Sequence, residues 1–151
     1  MRELQAMVAQ FMHAGGQPIA DYPCLPEDET RALSIALIEE ELAELKTAIA
    51  RIEDWHKHYG NRTGEDDQQD EREARLLAAV ADAQADLLYV VTWASLAWGF
   101  PIPLIMDEVQ QANMSKFGPG SWKDESGKVR KPEDWKPPDL IPLMGKPCIS
   151  E

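Results

Sequence analysis

The sequence predicts an all-α fold, namely an antiparallel bundle of about four helices followed by an irregular C-terminal tail. Four successive segments of the chain are predicted to be helical, and in the first two the apolar residues recur at helical spacing. Segments rich in glycine, proline or polar residues separate them, as expected where one helix ends and the next begins. With 151 residues, of which 44% are hydrophobic, the chain is long enough to form a single domain, residues 1–151, around its own core.

The first predicted helix spans residues 2–13 and is followed by a loop over residues 14–26. Its apolar positions fall at helical spacing: Leu4, Met7, Val8 and Phe11. The second predicted helix runs from about Glu27 to about Tyr59. Pro26 precedes it, and acidic residues occupy its first turn, where they face the positive end of the helix dipole. Its apolar stripe consists of Leu33, Leu37, Ile38, Leu42, Leu45 and Ile49.

The third predicted helix runs from about Glu71 to Trp98, and the fourth covers roughly residues 103–115. Residues 60–71 are polar and acidic, which predicts a mobile loop between the second and third helices. The third helix is strongly apolar after position 85, so we expect both of its sides to be buried, partly in a subunit interface. Gly99 is its expected C-cap, and two prolines prevent its continuation.

Charge is distributed unevenly along the chain, whose formal net charge is −12. Residues 1–115 carry 8 basic and 21 acidic side chains, whereas residues 116–151 carry 7 basic and 6 acidic ones. An acidic body argues against a nucleic-acid polymer as partner, because such partners require a basic face. The basic side chains of the tail suit smaller phosphorylated ligands. The tryptophans of the tail leave two possibilities open: a disordered segment, or a loop that packs over a site.

The sequence predicts neither a membrane span nor a secretory signal. The most apolar stretch, from Leu87 to Ile105, is interrupted by polar residues, a glycine and two prolines. The N-terminus lacks a basic region followed by an apolar core. Cys24 and Cys148 lie in opposite end segments and need no disulfide in a chain of this size. We therefore expect a cytoplasmic protein with no membrane partner.

Two groups of carboxylates carry the functional prediction. Glu40, Glu41 and Glu44 fall on one face of the second helix, at about 100° per residue. Asp82 and Asp86 are four residues apart and share a face of the third helix. Apolar residues flank both groups, so the acids should border a core, where they repel each other unless a cation is bound. Oxygen ligands suit Mg²⁺ or Mn²⁺, which predicts a metal site between the two helices acting on a phosphorylated substrate.

The same residues have a second interpretation. Glutamate-rich helix faces are usually solvated surface, and Glu44 could pair with a nearby lysine. The chain would then be a non-enzymatic interaction module that docks a partner on its apolar third helix. Two carboxylate groups, each within an apolar run, favour the metal site over this alternative.

The motifs resemble those of the all-α nucleoside-triphosphate pyrophosphohydrolases, the MazG-like and phosphoribosyl-ATP-pyrophosphohydrolase-like superfamily. That superfamily has a Glu-Glu-x-x-Glu motif on one helix and a Glu-x-x-Asp motif on the next, which together hold divalent metal. The first motif is intact as Glu40, Glu41 and Glu44. In the second, Asp86 matches, but Ala83 stands where the family has glutamate. Asp82 is a candidate replacement, because residues four apart on a helix also share a face.

The resemblance extends to a subgroup with a similar short first helix and a similar tail. It implies that Asn113 and Lys116 contact substrate phosphate or sugar, and that Lys128 and Lys131 help to close the site from a tail, residues 116–151, lying over it. Members of this kind assemble as homodimers or homotetramers. From the residues alone, Asn113 could instead cap the fourth helix, and the lysines could be solvated.

The resemblance also implies the reaction, a metal-assisted hydrolysis of a (d)NTP to the monophosphate. Two or three Mg²⁺ or Mn²⁺ ions would be held by Glu41, Glu44 and Asp86, with Asp82 as a further candidate ligand. Glu40 would bind another ion or deprotonate the attacking water, so Glu40 and Glu41 are the predicted catalytic residues. The subgroup includes dUTP-preferring enzymes and phage enzymes that convert dGTP to dGMP. We favour dGTP or GTP slightly over dUTP, and phosphoribosyl-ATP is not excluded.

Overall fold

The computed structural model describes residues 1–59 and 67–149, and most of them belong to four α-helices. The helices are α1 (Arg2–Ala14), α2 (Asp28–Tyr59), α3 (Asp67–Ala97) and α4 (Ile102–Met114). In the described part, the tail adds short 3-10 helices at Ser115–Phe117 and Ile141–Gly145 and two short strands, β1 (Trp122–Lys123) and β2 (Val129–Arg130). The predicted all-α class is therefore confirmed.

The helix boundaries agree with the sequence prediction except at the start of α3. The other three helices begin and end within about two residues of the predicted positions. Helix α3 begins at Asp67 rather than at Glu71, so residues 67–71 of the predicted loop are helical. No glycine or proline occurs there to stop the helix, and acidic residues are favourable in a first turn. The rest of the predicted loop, residues 60–66, lies outside the described residues.

The described chain forms two compact units. Residues 1–25 and 95–151 make up one, called here the terminal unit, and residues 26–94 make up the other, called the central unit. The buried apolar side chains of the terminal unit include Val8, Met12 and Leu96. Those of the central unit are mostly small, such as Ala48 and Ala83. The predicted single MazG-like domain over residues 1–151 stays a prediction.

Backbone hydrogen bonds join the first loop and the C-terminal segment within the terminal unit. The N–H of Ala20 donates to the carbonyl of Leu96, and that of Cys24 donates to Trp98, both at 3.1 Å. The N–H of Cys148 donates to Asp21 at 2.8 Å. These bonds fix residues 20–24 against the end of α3 and the C-terminal segment. This irregular part of the unit is therefore held by backbone hydrogen bonds outside helices and strands.

The tail is folded in the described part, which settles the alternative of a disordered segment. Strands β1 and β2 pair in antiparallel register, with Trp122 opposite Arg130. Asp124 stabilises the turn between them, because its carboxylate accepts hydrogen bonds from the hydroxyl and N–H of Ser126 and from the N–H of Lys128. These bonds lower the pKa of Asp124 below its ordinary value, and the bond from the Ser126 hydroxyl contributes most.

The apolar part of α3 is buried only toward its C-terminal end. Residues 92–97 are all buried, whereas Leu88 is 48% exposed and Val91 is 41% exposed. Within the single chain, the side chains around Leu88 lack enough neighbours to cover them, so their predicted burial in a subunit interface stays a prediction. Within the described residues, the segment 70–97 is long and apolar enough to cross a membrane, a property that core helices of soluble proteins share.

Candidate active site

Helix α2 presents the first carboxylate group on one face of the central unit. Glu40, Glu41 and Glu44 lie near the middle of this 32-residue helix, where the backbone is held by intrahelical hydrogen bonds on both sides. Glu41 is partly buried, whereas Glu40 and Glu44 are exposed. The middle carboxylate is therefore the one most withdrawn from water.

Helix α3 supplies the second carboxylate group. Asp82 and Asp86 are exposed, and Ala83 between them is only 5% exposed. The alanine that departs from the family motif is thus a buried packing residue in this chain. A glutamate at that position would require a buried carboxylate, which is costly without a partner.

The electrostatics of Glu41 show that the two groups are brought together. Burial raises the pKa of Glu41 above its ordinary value, and repulsion from four other carboxylates adds to the effect. In order of importance these are Glu44, Asp86, Glu40 and Asp82. All five predicted acids therefore lie within electrostatic range of one group, and they come from both helices as the sequence analysis expected.

The carboxylates form a loose group. Among the described residues, no three or more histidine, cysteine, aspartate or glutamate side chains are arranged so that they could hold a metal ion as they stand. The donor set nevertheless has the chemistry of a hard divalent cation site, because it consists only of carboxylate oxygens. Four of the five side chains are exposed and thus free to change rotamer, so the ligand type fits and the final arrangement depends on side-chain rotation.

A groove of about 530 Å³ runs along α2 and α3 beside this group. Glu40, Glu44 and Asp82 line it, together with small residues that include the buried Ala48 and Ala83. Small side chains leave the space that forms the groove. The central unit therefore places three of the predicted acids at an open cavity large enough for part of a small ligand.

Arg51 also lines the groove, and the sequence analysis did not find it. The signal was present, since Arg51 follows Glu44 by seven residues and Glu40 by eleven, and both intervals return to nearly the same helix face. Acidic motifs carry no information about a basic residue on that face.

The other predicted substrate residues lie in the terminal unit, where three of them gather at Trp135. The Nζ atom of Lys116 donates to Oδ1 of Asn113 at 2.6 Å. The Nζ atoms of Lys116 and Lys131 lie 5.4 and 3.9 Å from the centre of the Trp135 ring. The indole N–H of Trp135 donates to the carbonyl of Ala112 at 2.8 Å, which ties the tail to α4.

The predicted substrate residues of the terminal unit differ in their hydrogen bonds. The Asn113 side chain bonds to Lys116, and the capping N–H at the end of α4 belongs to Ser115, so Asn113 does not act as the helix cap. Lys128 contacts Asp124 through its backbone N–H, and its exposed side chain takes no part in the Trp135 cluster. The structure thus groups Asn113, Lys116 and Lys131 and leaves Lys128 outside.

The fold and the acidic groups define a class that comparison with known families identifies. The family model described as Phosphoribosyl-ATP pyrophosphohydrolase matches residues 8–113, which is more than half of the chain. The chain therefore belongs to the phosphoribosyl-ATP pyrophosphohydrolase family and is a nucleotide pyrophosphohydrolase. This confirms the superfamily inferred from the motifs. The matched range includes all five acids and ends at Asn113, so the lysines of the tail lie beyond it.

None of the curated proteins compared with the chain matches it significantly.

Proposed function

We propose that this pyrophosphohydrolase is metal-dependent and converts a (d)NTP, with dGTP or GTP as the first candidates, to the monophosphate. The observation that carries the proposal is the gathering of four carboxylates around Glu41, three of which line a groove along two helices. Such an accumulation of negative charge is unfavourable without a cation. The substrates of a pyrophosphohydrolase carry phosphates, which bind the same divalent cations. The preference for guanine over the dUTP alternative rests on the resemblance to phage dGTP-hydrolysing enzymes.

The proposed ligands for two or three Mg²⁺ or Mn²⁺ ions are Glu40, Glu41, Glu44, Asp82 and Asp86. When bound, such ions neutralise charge on phosphate oxygens and lower the pKa of water. Asp82 is the proposed replacement for the family glutamate, since the side chain of the buried Ala83 has no oxygen that could bind a metal ion. We assign Glu40 the role of general base, because its exposed carboxylate lines the groove and can accept a proton from an attacking water.

The residues gathered at Trp135 are the proposed contacts to substrate phosphate or sugar. Lysine and amide side chains suit this role because they donate hydrogen bonds to anionic oxygens. Lys128 is proposed for the same role on the resemblance alone. We also propose a cytoplasmic location, on the sequence alone, and assembly as a homodimer or homotetramer. The apolar side chains exposed on α3 support the assembly, because a second copy would cover them.

The test is a turnover panel with a matched control variant. The purified protein is incubated with Mg²⁺ or Mn²⁺ and each NTP, each dNTP, dUTP, phosphoribosyl-ATP and the matching diphosphates, and the products are separated by chromatography. We expect a monophosphate from dGTP or GTP, released with either pyrophosphate or successive phosphates. Activity should disappear with chelator and fall by at least about 100-fold in Glu41→Gln.

Glu39→Gln is the control, because Glu39 is an exposed acid on the same helix but neither lines the groove nor acts on Glu41. It should retain wild-type turnover. Faster turnover of dUTP would replace the guanine assignment. Absence of monophosphate from every substrate would refute the proposed reaction.

A further inference from the structure

The groove of the central unit has charges of opposite sign along its length. Glu40, Glu44 and Asp82 line it with negative charge, and Arg51 is the only basic residue that lines it within the described chain. Seven residues separate Glu44 from Arg51, which corresponds to about 10 Å along the helix axis. Long helical side chains lean toward the helix N-terminus, which brings the guanidinium closer to the acids than its Cα is.

The guanidinium of Arg51 has no hydrogen bond or ion pair with any other residue in the described parts of the chain. Thr47 and Ala48 occupy the positions one turn before it, so no acid on that side of the helix can pair with it. Asp54, three residues after it, is directed to His58 at 3.5 Å. Arg51 is thus an exposed cation available to a ligand in the groove.

We propose that Arg51 binds the terminal phosphate of a nucleoside triphosphate whose remaining phosphates lie at the carboxylate end of the groove. This inference rests on the proposed function. Guanidinium matches a phosphate in charge and in the spacing of its donors, and the terminal phosphate carries the largest charge of the three. A diphosphate that divalent cations would hold at the same carboxylates lacks the group that reaches Arg51. The groove should therefore select triphosphates over diphosphates of the same nucleoside.

The test measures binding by calorimetry with non-hydrolysable α,β-methylene analogues, in the presence of Mg²⁺. The analogues are the triphosphate and diphosphate of the nucleoside that the wild type hydrolyses fastest. In Arg51→Gln, we expect affinity for the triphosphate analogue to fall by about 10- to 100-fold, and affinity for the diphosphate analogue to change less than about threefold. Arg51→Lys should recover part of the loss, because it keeps the charge but not the bidentate geometry.

Lys46→Gln is the matched control, since it removes an exposed positive charge from the same helix outside the groove. Its affinities should equal those of the wild type. Arg51 is exposed, so its variants should fold normally, with unchanged helicity and melting temperature.

Two results would overturn the assignment while leaving the proposed function intact. One is wild-type turnover with unchanged binding in Arg51→Gln. The other is an equal loss of affinity for both analogues, which would place Arg51 at a group that the two analogues share. A wild-type protein that neither hydrolyses nor binds any nucleotide would refute the proposed function together with this inference.

Discussion

Replacing Gly99 with alanine should destabilise the terminal unit through a steric conflict that the structure defines. Gly99 follows the end of α3 with a φ of +72°, a conformation that side-chain-bearing residues rarely adopt. A Cβ atom built there would lie 2.1 Å from the carbonyl oxygen of Tyr22 and 2.4 Å from its carbonyl carbon. Both are backbone atoms, so relief requires the loop of residues 20–24 to move.

The expected loss of stability follows from the contacts that such a movement breaks. The positive φ costs alanine about 1 kcal/mol. The bonds from Ala20 to Leu96 and from Cys24 to Trp98 lie on either side of Tyr22, and each contributes about 1 kcal/mol. The total is about 3 kcal/mol, or more if the displaced loop also loses packing. For a chain of this length it corresponds to a fall in Tm of about 6–12 °C.

Gly16→Ala is the matched control for the backbone strain. Gly16 has a similar φ of +64°, but a Cβ atom there would meet nothing within 4 Å. Its variant should therefore show only the strain, a fall in Tm of about 2–4 °C. Thermal unfolding followed by circular dichroism measures both. If Gly99→Ala melts within about 2 °C of Gly16→Ala, the argument from the Tyr22 carbonyl is refuted.

Two further predictions concern the thiols and the acids. Burial raises the pKa of the Cys148 thiol to about 11, whereas Cys24 is exposed, so a thiol reagent at neutral pH should label one cysteine in the folded protein and two in denaturant. This folded-state pKa is raised above the ordinary value of 9.0, so protection of Cys148 from the reagent should persist below pH 9 and decline as the pH rises toward 11. Rapid labelling of both thiols at pH 7 would contradict this prediction. Mg²⁺ or Mn²⁺ at 100 times its dissociation constant should stabilise the wild type by about 2.7 kcal/mol, and Glu41→Gln and Asp86→Asn should abolish the rise in Tm. An equal rise in Glu41→Gln would place the bound ion elsewhere.

Features that depend on neighbours in sequence were predictable. Helical spacing of apolar residues located α1 and α2, because periodicity over ten or more residues outweighs local ambiguity. Gly99 and the two prolines after it located the end of α3. Helical spacing also placed Glu40, Glu41 and Glu44 on one face. The family motif then related them to Asp86 on the following helix, and repulsion from Asp86 and Asp82 contributes, after burial and Glu44, to the raised pKa of Glu41.

Features that depend on contacts between distant residues required the tertiary structure. The tail has no periodicity, so its attachment to α4 through Trp135 and Ala112, 23 residues apart, was not predictable. The burial of Ala83 was not predictable either, since alanine occurs at both buried and exposed positions. The beginning of α3 was misplaced because a polar, acidic segment is compatible both with a loop and with a helix N-terminus.

The amino-acid sequence alone was sufficient to predict the helices, their order and the acidic faces, because each depends on interactions within a few turns of one helix. Which helix faces enclose a cavity depends on how the helices pack against each other. Packing of small residues such as Ala48 and Ala83 creates the groove, and only then does Arg51 share a cavity with Glu40 and Glu44. A helical wheel gives a direction for a side chain, but the partner that it meets depends on the element packed opposite.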